Sequence, residues 1–255
     1  MKKLLALLLT AALVVTVFAG CGKNSSAESN NSSAAKKKIT MGTNATFPPF
    51  ESVDDSGKIV GLDADIAADI AEKLNMELVI KDMDFDSLIP AVKGGSIDFA
   101  MAGMTVTDER KESVNFTDTY AKGVQVVIVK EGSAIKTVDD LKGKKIGVQT
   151  GTTGDSYCTG DYGQENVKQF ANGPLAVAAL QNGQIDCVVI DQQPAKAYVA
   201  SASGLKILDT AYADENYAIA VSKDNTELLN NINKALSELK AAGKIDEIVG
   251  KYIKE

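Results

Sequence analysis

Three positions along the chain carry side chains suited to binding a small charged molecule. Arg110 lies in the stretch TVTDER, and its planar guanidinium can grip a carboxylate through two parallel hydrogen bonds. Thr152 and Thr153 precede a predicted helix, whose first backbone N–H groups also favour an anion. Asp191 ends the apolar run CVVID and supplies a negative charge for a cation. Together these residue types predict a site for a ligand that carries both a carboxylate and an ammonium group.

Each of these side chains also has an ordinary structural interpretation. Arg110 fits a surface helical turn capped by Thr107, and from the residues alone that interpretation is favoured. The two threonines fit simple helix capping, which is compatible with binding. Asp191 fits the cap of a helix that begins near Pro194.

The composition removes several other kinds of chemistry. The 255 residues include no histidine, which is the commonest metal ligand and general base. No metal-ligand spacing and no G-x-S-x-G motif appears, so we expect neither a metal nor another cofactor. The formal net charge of −7 disfavours nucleic acid as a partner. Acid–base work by Glu51 or Glu215 remains as the enzyme alternative.

The elements that must position these residues alternate between strands and helices. Leu62, Ile66, Ile70 and Leu74 recur every four residues and predict a helix with one buried stripe. The predicted strands are 39–42, 77–80, 97–102, 125–129, 145–148 and 186–190, and the other predicted helical segments are 87–93, 138–141 and 174–181. This alternation indicates α/β lobes with mainly parallel sheets.

One segment of the sequence occurs twice. Residues 91–102 read AVKGGSIDFAMA and residues 179–190 read ALQNGQIDCVVI, at an offset of 88 residues. The plain explanation is that a helix, a glycine turn and a strand form a common unit. The alternative is two equivalent lobes, each placing a strand end at a ligand cleft. Those strand ends are Gly103 and Asp191, which would then face each other across the cleft.

Four stretches together resemble the polar amino acid solute-binding proteins of bacterial ABC importers. They are GTNATFPPFE (42–51), GLDADI (61–66), AGMTVTDERKESVNFTDTY (102–120) and VQTGTTG (148–154). The resemblance implies a two-lobed α/β fold of the periplasmic-binding-protein-like type II, with two hinge crossings and the ligand in the interlobe cleft. It reverses the preference at Arg110 in favour of ligand binding.

The resemblance also implies roles for individual residues. Arg110 and Thr153 would hold the ligand carboxylate, while Asp191, the carbonyl of Gly103 and the hydroxyl of Thr105 would hold the ammonium. Aromatic side chains would flank the aliphatic part of the ligand. The full predicted ligand-binding set is Asn44, Phe47, Phe85, Gly103, Met104, Thr105, Arg110, Gln149, Thr152, Thr153 and Asp191.

Selectivity is predicted from two uncharged positions. Asn44 stands where lysine/arginine- and glutamine-binding relatives often carry Asp, and Gln149 stands where a glutamine-binding relative carries Lys. Both differences remove charge, so the side-chain pocket is predicted to be polar and nearly neutral. It would favour an uncharged polar amino acid or accept several. Cationic amino acids would fit if Glu51 or Asp84 reaches the pocket.

The N-terminus has the pattern of an export signal. Two lysines precede an apolar run that ends in small residues, which predicts a signal peptide over residues 1–20. The stretch FAGC resembles a bacterial lipobox, so Cys21 is predicted to carry a diacylglyceryl anchor. Residues 21–37 are rich in Ser, Asn and Ala and are predicted to form a flexible linker.

The predicted organisation has two lobes joined by two crossings. Residues 38–122 and 217–255 form lobe 1 and residues 123–216 form lobe 2, with crossings near 120–124 and 214–218. Cys158 and Cys187 both fall in lobe 2, where a disulfide is allowed but two free buried thiols are favoured.

The sequence therefore predicts a non-enzymatic, monomeric binding protein. It would be held on the outer face of the cell membrane and would deliver a polar amino acid to an ABC permease. Two alternatives use the same fold: an extracytoplasmic amino acid sensor, and a dehydratase-like enzyme.

Overall fold

The computed structural model describes residues 36–254 of the chain. The predicted signal peptide, Cys21 and nearly all of the predicted linker lie outside these residues. Within the described part, no helix has both the length and the apolar character needed to cross a membrane.

The first lobe is built on a five-stranded sheet with helices packed against it. Its strands are β1 (Lys38–Thr43), β5 (Glu77–Asp82), β6 (Phe99–Ala100), β7 (Val114–Phe116) and β14 (Ala220–Ser222). Its helices are α1 (Leu62–Lys73), α2 (Phe85–Lys93), α3 (Asp108–Ser113), α7 (Thr226–Ala241) and α8 (Lys244–Tyr252). The strand order is β5-β1-β6-β14-β7. A small antiparallel sheet of β2 (Thr46–Phe47), β3 (Glu51–Val53) and β4 (Ile59–Val60) adjoins helix α1.

The second lobe is built on a six-stranded sheet. Its strands are β8 (Ala121–Lys130), β9 (Ile146–Gln149), β10 (Val167–Phe170), β11 (Cys187–Asp191), β12 (Leu205–Ile207) and β13 (Ala213–Tyr217). Its helices are α4 (Thr153–Tyr162), α5 (Gly173–Gln181) and α6 (Gln192–Ser201), with 3-10 turns at Val138–Leu141 and Gln164–Asn166. The order is β10-β9-β11-β8-β12, and β13 also pairs with β8. The two sheets make the fold a two-lobed α/β fold of type II.

The sheets are mixed, which corrects the expectation of mainly parallel strands. Within each sheet, three strands run parallel: β5, β1 and β6 in one, β10, β9 and β11 in the other. Antiparallel strands join at the side where the chain crosses between the lobes. The chain passes from β7 in the first sheet to β8 in the second and returns from β13 to β14. A strand that arrives from the other lobe need not follow a helical crossover, so antiparallel pairing becomes available.

The predicted strand 97–102 is shorter than expected. Only Phe99–Ala100 form β6, and the preceding Asp98 bonds to β1 through its side chain as well as its backbone. Asp98 Oδ2 accepts from the backbone N–H of Thr40 at 2.6 Å, and the Asp98 N–H donates to the Thr40 carbonyl at 2.9 Å.

The duplicated segment makes the same contacts in both lobes. Asp186 Oδ2 accepts from the N–H of Lys145 at 2.8 Å, just as Asp98 Oδ2 accepts from the N–H of Thr40 in β1. A Cβ on Gly147 would lie only 2.4 Å from Cδ1 of Ile185, and a Cβ on Gly42 would lie 2.4 Å from Cδ1 of Ile97. A glycine on the neighbouring strand is therefore needed to admit the isoleucine in each lobe. The similarity between segments 91–102 and 179–190 therefore reflects two lobes of equivalent structure.

The predicted helix α1 is confirmed with its apolar face inward. Leu62, Ile66 and Ile70 are fully buried between the first sheet and helices α7 and α8. Gly61 precedes the helix at φ +137°, and a Cβ there would lie 2.2 Å from the Phe50 carbonyl oxygen. Only glycine fits this close approach, which brings the loop after β2 against the start of α1.

Cys158 and Cys187 are both free and fully buried in the core of lobe 2. Burial raises the pKa of the Cys158 thiol to about 12, so this thiol stays protonated and unreactive at neutral pH.

Candidate ligand-binding site

A single cavity is lined by side chains from both lobes. The space between these side chains that atoms do not fill, open solvent included, is about 320 Å³. Its lining residues are Asn44, Phe47, Glu51, Phe85, Ala102, Gly103, Thr105, Arg110, Gln149, Thr152, Thr153 and Asp191. The structure thus brings together every residue of the predicted ligand-binding set except Met104.

Met104 lies in the core of the first lobe instead. Its side chain is fully buried with Leu88 and Val92, and its carbonyl accepts from the N–H of Ala218 at 3.1 Å. The neighbours on either side of Met104 face the cavity. The side chain of Met104 therefore points away from the cavity that Gly103 and Thr105 line.

Arg110 forms the cationic end of the cavity. It sits in α3, whose N-cap Thr107 accepts from the Arg110 N–H at 3.1 Å. Its Nη1 donates to the Thr105 carbonyl at 2.7 Å and its Nη2 to the Gly151 carbonyl at 3.0 Å, so the guanidinium joins both lobes. Its Cζ lies 5.3 Å from the centre of the Phe85 ring. Thr107 thus caps the helix that carries Arg110, and Arg110 lines the cavity. The guanidinium has further N–H groups that could donate to a ligand.

The start of helix α4 adds backbone donors at the same end. Thr152 is its N-cap, and the Thr152 hydroxyl accepts from the Asp155 N–H at 3.3 Å. Thr153 is the first helical residue, so its N–H has no partner within the helix. An anion at this point would therefore meet both the helix start and the guanidinium of Arg110.

Asp191 forms the anionic end of the cavity. It is buried at the end of β11, and its Oδ1 accepts from the Tyr217 hydroxyl. It occupies the N-cap position of α6 without making a side-chain capping bond. Burial and, second, the charge of Glu215 raise the pKa of Asp191 to about 7, while hydrogen bonds from Tyr217 and Gln125 oppose the shift. A ligand ammonium beside Asp191 would compensate this buried charge.

Glu51 adds a second buried acid to the cavity wall. Neither of its carboxyl oxygens has a hydrogen-bond partner in the described part of the chain. Burial raises its pKa well above the usual value, and the adjacent Asp63 raises it further, so the neutral form is favoured. Asp63 Oδ2 accepts from the Gly103 N–H and from the Tyr120 hydroxyl, both at 2.8 Å. Asp63 therefore holds the backbone of Gly103 in place beside the cavity.

Gly103 must be glycine for two reasons. Its φ is +52°, a left-handed backbone conformation, and a Cβ there would lie 2.8 Å from Cε1 of Phe47. Phe47 can therefore pack directly on the backbone and form an apolar wall. Phe50 lies behind it, with the two ring centres 5.8 Å apart.

Hydrogen bonds across the cleft hold the two lobes together. Gln149 Nε2 donates to Asn44 Oδ1 at 3.0 Å, so the two residues predicted to set selectivity bind each other. The Tyr198 hydroxyl on α6 donates to the Thr46 carbonyl on β2. With the Arg110 bond to Gly151, these contacts define a closed arrangement of the lobes.

Several residues that support the site were missed by sequence reasoning. Glu215 and Gln125 lie on the strands near the crossings, and Tyr198 and Tyr217 donate hydroxyls from elements distant in sequence. Glu51 was considered as a conditional contact and, like Glu215, as an acid–base group, while Asp84 is exposed and does not line the cavity. The charge of Glu215 within a crossing segment was a usable signal. The tyrosines carried none.

Comparison with known proteins gives one consistent answer. Residues 39–255 match the family model described as bacterial extracellular solute-binding proteins, family 3. The chain is 37% identical to a probable histidine-binding protein of Neisseria gonorrhoeae, over 99% of this chain and 96% of that one. It is 35% identical to the arginine-binding extracellular protein ArtP of Bacillus subtilis (strain 168), over 99% and 98%.

A solved structure agrees with these sequence matches. An ancestral arginine-binding protein bound to glutamine superimposes with a TM-score of 0.82 and 44% sequence identity. The match covers 87% of this chain and all of that one.

Proposed function

Because the chain belongs to family 3 of the bacterial extracellular solute-binding proteins, we propose that it captures a polar L-amino acid and delivers it to an ABC permease. The observation that carries this proposal is the cavity with Arg110 at one end and Asp191 at the other. The two charges come from different lobes, and their opposite signs match the two ends of a zwitterion. Relatives that bind histidine and arginine support the ligand class.

In this proposal the ligand carboxylate is held by Arg110 and by the start of α4. The guanidinium is desolvated by burial, which strengthens its interaction with an anion. The Thr153 N–H donates to the same carboxylate. The ammonium donates to Asp191 Oδ2, to the Thr105 hydroxyl and to the Gly103 carbonyl.

The proposed mechanism is closure of the two lobes around the ligand. Only the closed arrangement brings Arg110 and Asp191 to one cavity, so a ligand that binds both shifts the protein toward the closed form. We propose lobe boundaries of 38–122 with 217–255, and 123–216; both boundaries fall within strands that link the lobes, β8 and β13.

For the side chain of the ligand we propose a broad polar class. The Asn44–Gln149 pair is uncharged and supports the prediction of a nearly neutral pocket. Glu51 adds a titratable acid: its neutral form can donate to an amide carbonyl, and its ionised form can pair with a cation. One pocket can therefore accept amide and cationic side chains.

We further propose binding without chemistry, as a monomer anchored through Cys21. Arg110 and Asp191 both have binding roles in this proposal, and the matching family is described as solute-binding proteins. The family description supports a place outside the cytoplasm, and the lipobox-like FAGC supports the lipid anchor.

The test is calorimetric titration of the purified 36–255 fragment against the twenty L-amino acids. We expect saturable binding of one or more polar amino acids. Arg110→Ala should weaken binding at least about a hundredfold, because it removes a buried charge from the carboxylate. Arg110→Lys keeps the charge but loses the fork, so it should recover only part of the affinity. Wild-type protein that binds no amino acid, or an Arg110→Ala variant that binds normally, would contradict the proposal.

A further inference from the structure

A buried carboxylate outside the cavity lining bonds to the proposed ammonium site. Glu215 lies on β13, the strand by which the chain returns to the first lobe, and pairs in register with Gly123 on β8. Its side chain is 4% exposed. The proposed binding mechanism gives Glu215 no role.

Glu215 receives hydrogen bonds from two directions. Thr105 Oγ1 donates to Glu215 Oε2 at 2.9 Å, and Gln125 Nε2 donates to the same oxygen at 2.9 Å. Thr105 belongs to the first lobe and lines the cavity, whereas Gln125 belongs to the crossing strand β8. One carboxylate thus ties the cavity wall to both strands that lead between the lobes.

The direction of the Thr105 bond decides what its hydroxyl can offer to a ligand. A hydroxyl carries one hydrogen and two acceptor lone pairs. Because a carboxylate accepts the hydrogen, the Thr105 oxygen can only accept a hydrogen bond from a group in the cavity. It therefore suits a ligand ammonium and repels a ligand carboxylate.

We infer that Glu215 is a positioning residue that orients the Thr105 hydroxyl as an acceptor, and so sets which end of the ligand lies at Asp191. The inference rests on the proposed function. Glu215 acts through Thr105 and through its charge, without touching the ligand. Burial lowers the pKa of Arg110, and the charge of Glu215 is the largest electrostatic effect that raises it.

The test is a double-mutant cycle between Glu215→Ala and Thr105→Val, with L-arginine as the probe and L-glutamine as a second probe. Glu215→Ala should weaken binding about thirtyfold in the wild-type background, because it frees the hydroxyl to turn. In the Thr105→Val background the same change should cost less than about threefold. Glu215→Gln, whose amide oxygen can still accept from Thr105, should lose only about threefold.

The matched control is Asp214→Asn, which removes an exposed acid from the same strand and should change the affinity less than about twofold. Melting temperatures of the ligand-free variants report folding, and Glu215→Gln serves if the alanine variant fails to fold. Additive effects of Glu215 and Thr105, or equal losses in Glu215→Gln and Glu215→Ala, would overturn the inference. A wild-type protein that binds neither probe would instead contradict the proposed function.

Discussion

At the scale of single residues, the site is a set of buried charges that lack a full complement of partners. Asp191 accepts a hydrogen bond from the Tyr217 hydroxyl, and the charge of Glu215 raises its pKa. Glu51 has no hydrogen-bond partner among the described residues. Such groups are costly to keep buried unless a ligand compensates them. The residue chemistry therefore favours a ligand that brings an ammonium group.

A pH dependence of binding follows from Asp191. Its pKa is raised to about 7 without ligand, and an adjacent ammonium would lower it, so binding releases a proton below neutral pH. We expect the affinity to fall as the pH falls from 8 to 5.5, by up to about tenfold per unit. Asp191→Asn should bind more weakly at pH 8 and show a flatter profile. Titrations at several pH values measure both, and an unchanged slope in the variant would assign the titration to another group.

At the scale of elements, closure depends on contacts between a helix of one lobe and a strand of the other. Helix α6 starts at the residue after Asp191 and carries Tyr198, whose hydroxyl bonds to β2 across the cleft. The end of β11 thus supplies both the proposed contact to the ligand ammonium and the helix that bonds to the other lobe.

Tyr198→Phe removes the bond across the cleft while keeping the ring. We expect the affinity to fall about two- to tenfold, because the net value of one hydrogen bond is about 0.5–1.5 kcal/mol. The loss should appear as faster dissociation, since the bond forms after the ligand enters. Stopped-flow dissociation measures it.

Tyr162→Phe is the matched control for this change. Its hydroxyl donates to the Val138 carbonyl within lobe 2, at 3.2 Å. This variant should lose a little stability and keep the wild-type dissociation rate. Equal dissociation rates in the two variants would argue against a closing role for Tyr198.

At the scale of the whole molecule, a buried acidic cluster sets how stability depends on pH. Burial raises the pKa values of Glu51, Asp63 and Asp191, to about 6 for Asp63 and about 7 for Asp191. The folded protein therefore holds protons that the unfolded chain releases near pH 4. The stability from these groups is fully present below about pH 4 and is lost as the pH rises through the folded pKa values of about 6 and about 7.

The ligand-free protein should accordingly melt several degrees higher at pH 5 than at pH 8. Glu51→Gln removes one of the titrating acids and should make this difference smaller. Thermal unfolding followed by circular dichroism at both pH values measures it. A melting temperature that increases from pH 5 to pH 8 would contradict the assignment of this pH dependence to the buried acids.

The sequence by itself determined the fold class, the family and most of the cavity lining. Periodic apolar residues such as Leu62 and Ile66 identified the helix, and motifs such as TVTDER carried Arg110 with its neighbours. These signals are local, because a helix face or a capped turn is specified by residues close together in the chain.

Only the tertiary structure decided which distant residues meet. It turned Met104 into the core, paired Asn44 with Gln149 over 105 residues, and placed Glu215 against Thr105 over 110. Hydrogen bonds between residues so far apart depend on how the lobes close and how the crossing strands pair. No local pattern encodes that geometry, so the charged ends of the cavity were predictable while the groups that orient them were not.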